Sequence, residues 1–291
     1  MKLGAFKDAR SRDRFHTAYE QTLAELWPGA RETLDVPTAF GTTRAYRAGP
    51  PGDRPIVLLS GAGGNALMWH RYIDALSRRH QVIAVDTVGE PGASVQTAPI
   101  GDGRDGAAWL EELLSALEVA EAHLVGCSYG GWLALQHQIH HPGRTASLTL
   151  VDPAGFADPG WRFFTWAIGG GLAGTAPRPL RPFLARLVAN STILETELMR
   201  MMRSTMSFRR GLPPAQVFTD EELRRVHAPS LFLLGARSAL HDSRRVADRL
   251  AQLIPAARVE IVPGAGHALP TDRPELVTDR ILKMAGQQKT P

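Results

Sequence analysis

Two glycine-framed segments contain the residue types of a nucleophilic catalytic centre. Gly126-Cys127-Ser128-Tyr129-Gly130 lies between a short apolar run and a helical pattern. A sharp turn in this position holds a serine in a strained conformation and exposes its hydroxyl above a sheet. Histidine is the usual base that activates such a hydroxyl, and Gly264-Ala265-Gly266-His267 supplies one later in the chain. The spacing predicts Ser128 as nucleophile and His267 as general base.

The elements that must position these two side chains alternate along the chain. Apolar runs typical of buried strands occur at residues 56–59, 82–85, 123–126, 148–151 and 231–234, and helical patterns separate most of them. This alternation indicates a mostly parallel sheet covered by helices on both faces. Because ligands bind at the carboxyl ends of such strands, Ser128 and His267 are expected at one edge of the sheet.

Further elements are predicted near the two ends of the chain. They are a helix over 18–27, an antiparallel hairpin of 31–36 and 42–46, a strand over 258–262 and a last helix from about Asp272. The hairpin turns near Gly41, where the apolar and polar residues alternate on both sides.

The alternation of strands and helices stops between residues 152 and 226. Aromatic and methionine residues accompany helical stretches broken by prolines there. We interpret 153–226 as a helical cap inserted after the sixth strand, with 1–152 and 227–291 forming the core. Either the large apolar residues only pack the cap onto the sheet, or they line a roomy substrate pocket. The candidates for such a pocket are Trp161, Phe164, Trp166 and Met202, with Gly61 from the loop after the 56–59 strand.

The charge of the cap is strongly positive. Residues 161–212 contain eight arginines and two glutamates, against a net charge of +4 for the chain. A basic lid can steer anionic substrates, although a solvated outer face is the simpler interpretation. The preference for arginine over lysine can reflect genome composition alone, so the charge does not by itself predict a nucleic-acid partner.

Composition limits the compartment and the partners. Cys127 is the sole cysteine, which excludes an intrachain disulfide, and a cysteine at a strand end is usually a buried small residue. The N-terminus lacks the apolar run of a secretory signal, and the uncharged stretch 163–177 is too short to span a bilayer. We predict a cytoplasmic monomer or homodimer that acts on a small molecule without metal, cofactor, nucleic acid or membrane. His137, His140 and His141 are interpreted as a solvated helix end rather than a metal site.

From about residue 19 to the C-terminus the chain resembles the α/β-hydrolase superfamily, most closely a bacterial branch of cap-bearing, carboxylesterase-like members. The matching stretches are Leu-Trp-Pro at 26–28, Phe-Gly-Thr-Thr at 40–43, Asp-Thr-Val-Gly-Glu-Pro-Gly-Ala-Ser at 86–94, the serine turn, Phe-Thr-Asp-Glu-Glu-Leu at 218–223 and Gly-Ala-Gly-His at 264–267. The resemblance implies an α/β-hydrolase fold with an inserted helical cap. It also implies an oxyanion hole formed by the backbone N–H groups of Ala62 and Tyr129.

The acid that should orient His267 is left open. The family commonly places Asp or Glu three residues after the glycine that ends the 231–234 strand, and that position is Ser238 here. We favour Asp152, directly after the 148–151 strand, because some related hydrolases place the acid there. Asp242 is the rival, although it would also serve as a helix N-cap. A Ser–His dyad without an acid is the third possibility.

Three functions fit these residues. The leading one is a serine hydrolase that cleaves a carboxylic ester or lactone of a bulky, mostly apolar small molecule through an acyl-enzyme. The alternative is a non-hydrolytic enzyme on the same fold, a lyase, cyclase or C–C bond-forming enzyme, which Ser238 at the usual acid position would suit. The third is a ligand-binding protein that has lost catalysis.

Overall fold

The computed structural model describes residues 2–286, whose strands form a two-stranded and a nine-stranded sheet. The strands are β1 (Ala5–Phe6), β2 (Glu32–Thr38), β3 (Gly41–Ala48), β4 (Ile56–Leu59), β5 (Val82–Val85), β6 (Val95–Gln96), β7 (Ala122–Cys127), β8 (Thr145–Val151), β9 (Phe208–Arg209), β10 (Ser230–Gly235) and β11 (Arg258–Val262). The main sheet has the order β11-β10-β8-β7-β4-β5-β3-β2, and β6 pairs with β3.

The main sheet is parallel from β11 to β5 and antiparallel at the β3–β2 edge. Its central strands β4, β5, β7 and β8 consist of buried residues throughout. Such strands are covered on both faces, which explains why β4 and β5 are short apolar runs without alternation of apolar and polar residues. The loops after β4, β7, β8 and β11 consequently leave the same edge of the sheet.

Six of the α-helices cover the two faces of this sheet. The α-helices of the described residues are α1 (Ala9–Leu26), α2 (His70–Ser77), α3 (Gly103–Ala116), α4 (Tyr129–His140), α5 (Trp161–Thr175), α6 (Arg181–Val188), α7 (Thr196–Ser204), α8 (Asp220–Arg224), α9 (Ser243–Leu253), α10 (Leu269–Asp272) and α11 (Pro274–Ala285). Helices α3, α4 and α9 pack into one core cluster, whereas α1, α2 and α11 pack into a second on the opposite face.

Helix α1 begins nine residues before the position expected from its apolar pattern. Asp8 caps its N-terminus by accepting a hydrogen bond from the N–H of Ser11 at 2.7 Å. The first turns carry mainly charged residues, so they lack the apolar stripe that sequence reasoning relies on. Phe15 and Tyr19, which belong to this helix, are nevertheless fully buried.

Helices α5, α6 and α7 lie between β8 and β10 in the chain and contribute no strand to the main sheet. They share a small apolar cluster that includes Ala173, Ala185 and Met199. Strand β9, which follows them, pairs with the N-terminal β1. The division into a cap of 153–226 and a core stays a prediction. Within residues 2–286, every helix is too short or too polar to cross a bilayer.

Candidate active site

Ser128 occupies the sharp turn between β7 and α4. Its backbone has φ 50° and ψ −116°, a conformation that costs free energy for any residue other than glycine. The flanking glycines make this turn possible. A Cβ on Gly130 would lie 2.3 Å from the carbonyl oxygen of Leu59, and one on Gly126 would lie 2.3 Å from the carbonyl oxygen of Gly130. The turn therefore presents the serine hydroxyl at the sheet edge, as the sequence predicts.

Ser128, His267 and Asp152 form one hydrogen-bonded chain. The Nε2 atom of His267 lies 3.1 Å from Oγ of Ser128, and its Nδ1 atom lies 2.6 Å from Oδ2 of Asp152. Each of the three residues is less than a tenth exposed. A buried carboxylate beside Nδ1 keeps the proton on that nitrogen and leaves Nε2 free to accept the proton of the serine hydroxyl.

The carboxylate of Asp152 is held by several donors. Oδ1 accepts from the N–H of Gly235 at 2.9 Å, and Oδ2 accepts from the hydroxyl of Ser238 at 2.6 Å. Burial alone would raise the pKa of Asp152, but the hydrogen bond and charge of His267, with contributions from His241 and Ser238, lower it below its ordinary value. Ser238, at the family's usual acid position, thus donates to the carboxylate that contacts His267.

Asp242 lies in a different environment. It precedes α9 and accepts hydrogen bonds from the N–H groups of Arg244 and Arg245, so it is the N-cap of that helix. Its side chain is exposed, and its carboxylate makes a 3.6 Å ion pair with Arg245. Of the two acids considered from the sequence, the structure brings Asp152 to the far ring nitrogen of His267.

The loop after β4 lies directly against Ser128. A Cβ on Gly61 would be 3.3 Å from Cβ of Ser128, and Ala62 lines the cavity in front of the hydroxyl. Tyr129 is the first residue of α4, where a backbone N–H has no partner within the helix. The N–H groups of Ala62 and Tyr129 are therefore the candidates for stabilising an oxyanion formed at Ser128.

A buried ion pair that sequence reasoning missed supports this loop. Glu90 is 2% exposed and accepts a 3.0 Å hydrogen bond from the N–H of Gly63. Arg210 donates from Nε to the Glu90 carboxylate at 2.7 Å, and its guanidinium carbon lies 4.8 Å from the ring centre of Tyr129. Burial raises the pKa of Glu90, although the charge of Arg210 opposes this effect. One pair thus contacts both segments that carry the candidate oxyanion donors.

The cavity above Ser128 has a volume of about 370 Å³. That volume falls within the range of small-molecule sites. Its wall is largely apolar, and its aromatic part stands against the imidazole of His267, with ring centres of Phe163 and Trp166 at 5.5 and 5.2 Å. Methionines contribute much of the remaining wall: Met68, Met199, Met201 and Met202.

The aromatic residues predicted to line the pocket divide according to the face of α5 on which they lie. Gly61, Trp166 and Met202 line the cavity, whereas Trp161 and Phe164 do not and are 75% and 57% exposed. The prediction for Trp161 and Phe164 is therefore wrong. Helical geometry places Phe163, missed from the sequence, on the same face as Trp166 and turns the other two aromatic residues outward.

One part of the cavity wall is charged. Glu195, directly before α7, lies with a carboxylate oxygen 3.2 Å from Nε2 of His70 and with the other 3.1 Å from Nη2 of Arg71. All three residues line the cavity. Glu195 is one of only two acids in residues 161–212, and this rarity was the available sequence signal for its ion pair with α2.

The structure contradicts the sequence-based interpretation of His137 and agrees with that of Cys127. His137 is fully buried and contacts Glu111 through Nε2 at 3.1 Å, so its interpretation as part of a solvated helix end is wrong. Burial lowers the pKa of His137 to about 4. Cys127 is buried, as expected, and burial raises the pKa of its thiol. Among residues 2–286 no group of three His, Cys, Asp or Glu side chains could hold a metal ion.

The fold and this arrangement of side chains define an α/β-hydrolase. Residues 56–280 match the Alpha/beta hydrolase family, which is more than half of the chain, and the protein belongs to this family. The fold prediction is thereby confirmed, and the chain is a hydrolase-type enzyme.

The proteins and solved structures that are similar to this chain include carboxylesterases. The carboxylesterase YbfK of Bacillus subtilis is 30% identical over 277 residues, which cover 92% of this chain and 92% of that protein. The crystal structure of carboxylesterase CesB (YbfK) from the same organism has a TM-score of 0.84 at 28% identity and covers 97% of this chain and 100% of that one. A naproxen esterase (carboxylesterase NP) from Bacillus subtilis has a TM-score of 0.82 at 27% identity, with coverage of 96% and 100%.

Proposed function

We propose that this protein is a serine carboxylesterase that hydrolyses esters or lactones of bulky, mostly apolar small molecules. The observation that carries the proposal is the unbroken chain of hydrogen bonds from Asp152 through His267 to Ser128, with contacts of 2.6 and 3.1 Å. The carboxylesterase names of similar Bacillus subtilis proteins support the reaction type. The apolar cavity of about 370 Å³ supports a bulky substrate.

The reaction begins at the serine hydroxyl. Ser128 Oγ attacks the ester carbonyl carbon while His267 Nε2 takes the hydroxyl proton, and the carbonyl oxygen becomes an oxyanion that the N–H groups of Ala62 and Tyr129 stabilise. The imidazolium then gives its proton to the leaving alcohol as the C–O bond breaks. Asp152 stays ionised and stabilises the positive imidazole throughout.

Water completes the cycle. His267 takes a proton from a water molecule as the water oxygen adds to the acyl carbon. The second oxyanion then collapses, the bond between the acyl carbon and Ser128 Oγ breaks, and the imidazolium returns its proton to Oγ, which releases the acid and restores the hydroxyl. Ser238 at the family's usual acid position no longer argues for non-hydrolytic chemistry, because Asp152 provides the carboxylate beside His267. Action on a small molecule as a cytoplasmic monomer or homodimer, without a cofactor, remains part of this proposal.

Covalent labelling combined with kinetics tests the proposal. A fluorophosphonate probe is expected to add to Ser128, located by peptide mass spectrometry, and p-nitrophenyl esters should give a burst of p-nitrophenol. Ser128→Ala should abolish both signals while leaving the fold intact. Cys127→Ala serves as the control in the same turn and should keep both. Turnover of p-nitrophenyl esters by Ser128→Ala at the wild-type rate would refute the assignment.

A further inference from the structure

The cap carries an extended apolar surface that faces solvent. On α5 the exposed side chains recur at intervals of three and four residues, and the next helix continues the pattern, which places each set on one side of its helix. We define the outer cap face by these residues: Trp161, Phe164, Ile168 and Leu172 from α5, and Leu180, Phe183 and Leu187 from just before and within α6.

Helices α5 and α6 pack against each other, and the indole N–H of Trp166 donates to the carbonyl oxygen of Val188 at 2.9 Å. The exposed apolar sets of the two helices adjoin at Trp161 and Leu187, which line the same groove on the exterior of the cap. The opposite face of α5 is already used, because Phe163 and Trp166 line the catalytic cavity. The outer cap face is therefore needed neither for packing nor for lining the cavity. Large apolar side chains that are exposed together on neighbouring helices commonly mark an interaction site on soluble proteins.

The charges around the outer cap face indicate what it contacts. Residues 161–194 contain four arginines, at 162, 178, 181 and 186, and no aspartate or glutamate. Arg162, Arg178 and Arg186 are exposed, and Arg181 donates to the carbonyl oxygen of Ala176. Two copies joined through this face would bring arginines together without any carboxylate from it. Anionic lipid headgroups supply the missing negative charge, and tryptophan and phenylalanine suit the boundary beneath those headgroups.

We propose that the outer cap face binds the surface of an anionic lipid bilayer. The apolar side chains enter the boundary between headgroups and acyl chains, and the arginines contact lipid phosphates. This is contact with a surface, since no described helix is suited to crossing the bilayer. It replaces the sequence-based expectation that no membrane is involved. Helix α5 has the outer cap face on one side and the catalytic cavity on the other. Apolar substrates dissolved in the bound bilayer would therefore be close to the active site. The proposal does not rest on the esterase assignment.

Vesicle co-sedimentation tests the contact with the full chain. Wild-type protein should sediment with vesicles of phosphatidylcholine mixed with phosphatidylglycerol and should bind pure phosphatidylcholine at least about tenfold more weakly. Ile168→Ser combined with Phe183→Ser, and separately Arg178→Glu combined with Arg186→Glu, should each weaken binding to the mixed vesicles by about tenfold or more. The charge-matched control Arg78→Glu with Arg245→Glu, and the exposed apolar control Val95→Ser, should bind like wild type.

A fluorescence measurement locates the contact. Phospholipids with brominated acyl chains should quench part of the tryptophan emission of the wild-type protein on mixed vesicles. Trp161→Phe should remove that quenched part, because the other indoles lie inside the protein or on the cavity side. Circular dichroism spectra equal to that of wild type establish that each variant is folded.

Several results would overturn the proposal. Equal binding to both kinds of vesicle would show that the arginines contribute nothing, and equal binding by the outer-face and control variants would place the contact elsewhere. Sedimentation of the lipid-free protein as a dimer that Ile168→Ser with Phe183→Ser dissociates, together with no vesicle binding, would assign the face to a second copy of the chain.

Discussion

Asp152 and His267 are 115 residues apart in the chain, yet Oδ2 of one lies 2.6 Å from Nδ1 of the other. The contact arises because β8 and β10 are neighbours in the sheet and β10 pairs with β11, whose following loop carries His267. The carboxylate is buried and accepts bonds from Gly235 and Ser238 as well. It is therefore fixed in place before any substrate arrives.

The first prediction concerns this carboxylate. Asp152→Asn should lower kcat/KM for a p-nitrophenyl ester on the order of 10⁴-fold, because the amide cannot hold the imidazole in the required tautomer or stabilise its charged form. Asp242→Asn is the matched control, since asparagine caps a helix as well as aspartate does. Steady-state kinetics of both variants give the two values of kcat/KM and show which carboxylate acts on His267. A large loss in Asp242→Asn with little change in Asp152→Asn would reverse the assignment.

The second prediction concerns the ion pair behind the serine loop. Arg210→Met leaves Glu90 buried without its counter-charge, and we expect the free energy of unfolding to fall by about 3–5 kcal/mol. We also expect kcat to fall, because Glu90 bonds the loop that contains Gly61 and Ala62. Urea denaturation measures the stability. Arg200→Met, which breaks an exposed pair with Glu25, should cost less than about 1 kcal/mol. Similar losses in the two variants would contradict the special role of Glu90.

The third prediction separates the two faces of α5. Trp166→Ala removes a ring that stands 5.2 Å from that of His267, so kcat/KM for bulky aromatic esters should fall about tenfold. The effect on an acetyl ester should be much smaller, because a small acyl group buries little apolar area against the aromatic wall. Trp161→Ala, on the solvent side of the same helix, should leave kcat/KM for both water-soluble substrates unchanged. Kinetics with the two esters test the contrast, and equal losses in both variants would argue against it.

The fourth prediction is a pH dependence of stability. Burial lowers the pKa of His137 to about 4 from the ordinary 6.5. Below pH 6.5 the unfolded chain binds a proton at this site that the folded protein excludes. The contribution of neutral His137 to the free energy of unfolding is thus fully present above pH 6.5 and is lost as the pH falls towards 4. The free energy of unfolding should change there by up to about 1.4 kcal/mol per pH unit.

His137→Gln tests this linkage. The free energy of unfolding, measured in urea between pH 7 and pH 4.5, should fall less steeply with decreasing pH in the variant than in the wild type. His227→Gln, at an exposed position, should reproduce the wild-type slope. Parallel curves for wild type and His137→Gln would show that His137 does not carry the effect.

Much of the fold follows from local signals. The buried strands were predictable because both of their faces are covered, so that residues such as those of β4 and β5 form short apolar runs between helices. Strand β11 has the bounds that the sequence predicts. The first half of α1 was missed because its turns carry charged residues. Its start depends on the Asp8 cap and on the packing of Phe15 into the second core cluster.

The sequence by itself determined the nucleophile and base candidates, since the glycines around Ser128 and the strand–loop position of His267 are local features. Tertiary structure decided what depends on distance between segments remote in the chain. Asp152 and Asp242 both lie in loops near the ends of strands, and only their packing separates a buried partner of His267 from a helix cap. Tertiary structure likewise decided which face of α5 points to the cavity and that Glu90 pairs with Arg210. Local residue patterns specify which conformations a segment can adopt, whereas a hydrogen bond between two side chains requires the whole sheet to bring them within 3 Å.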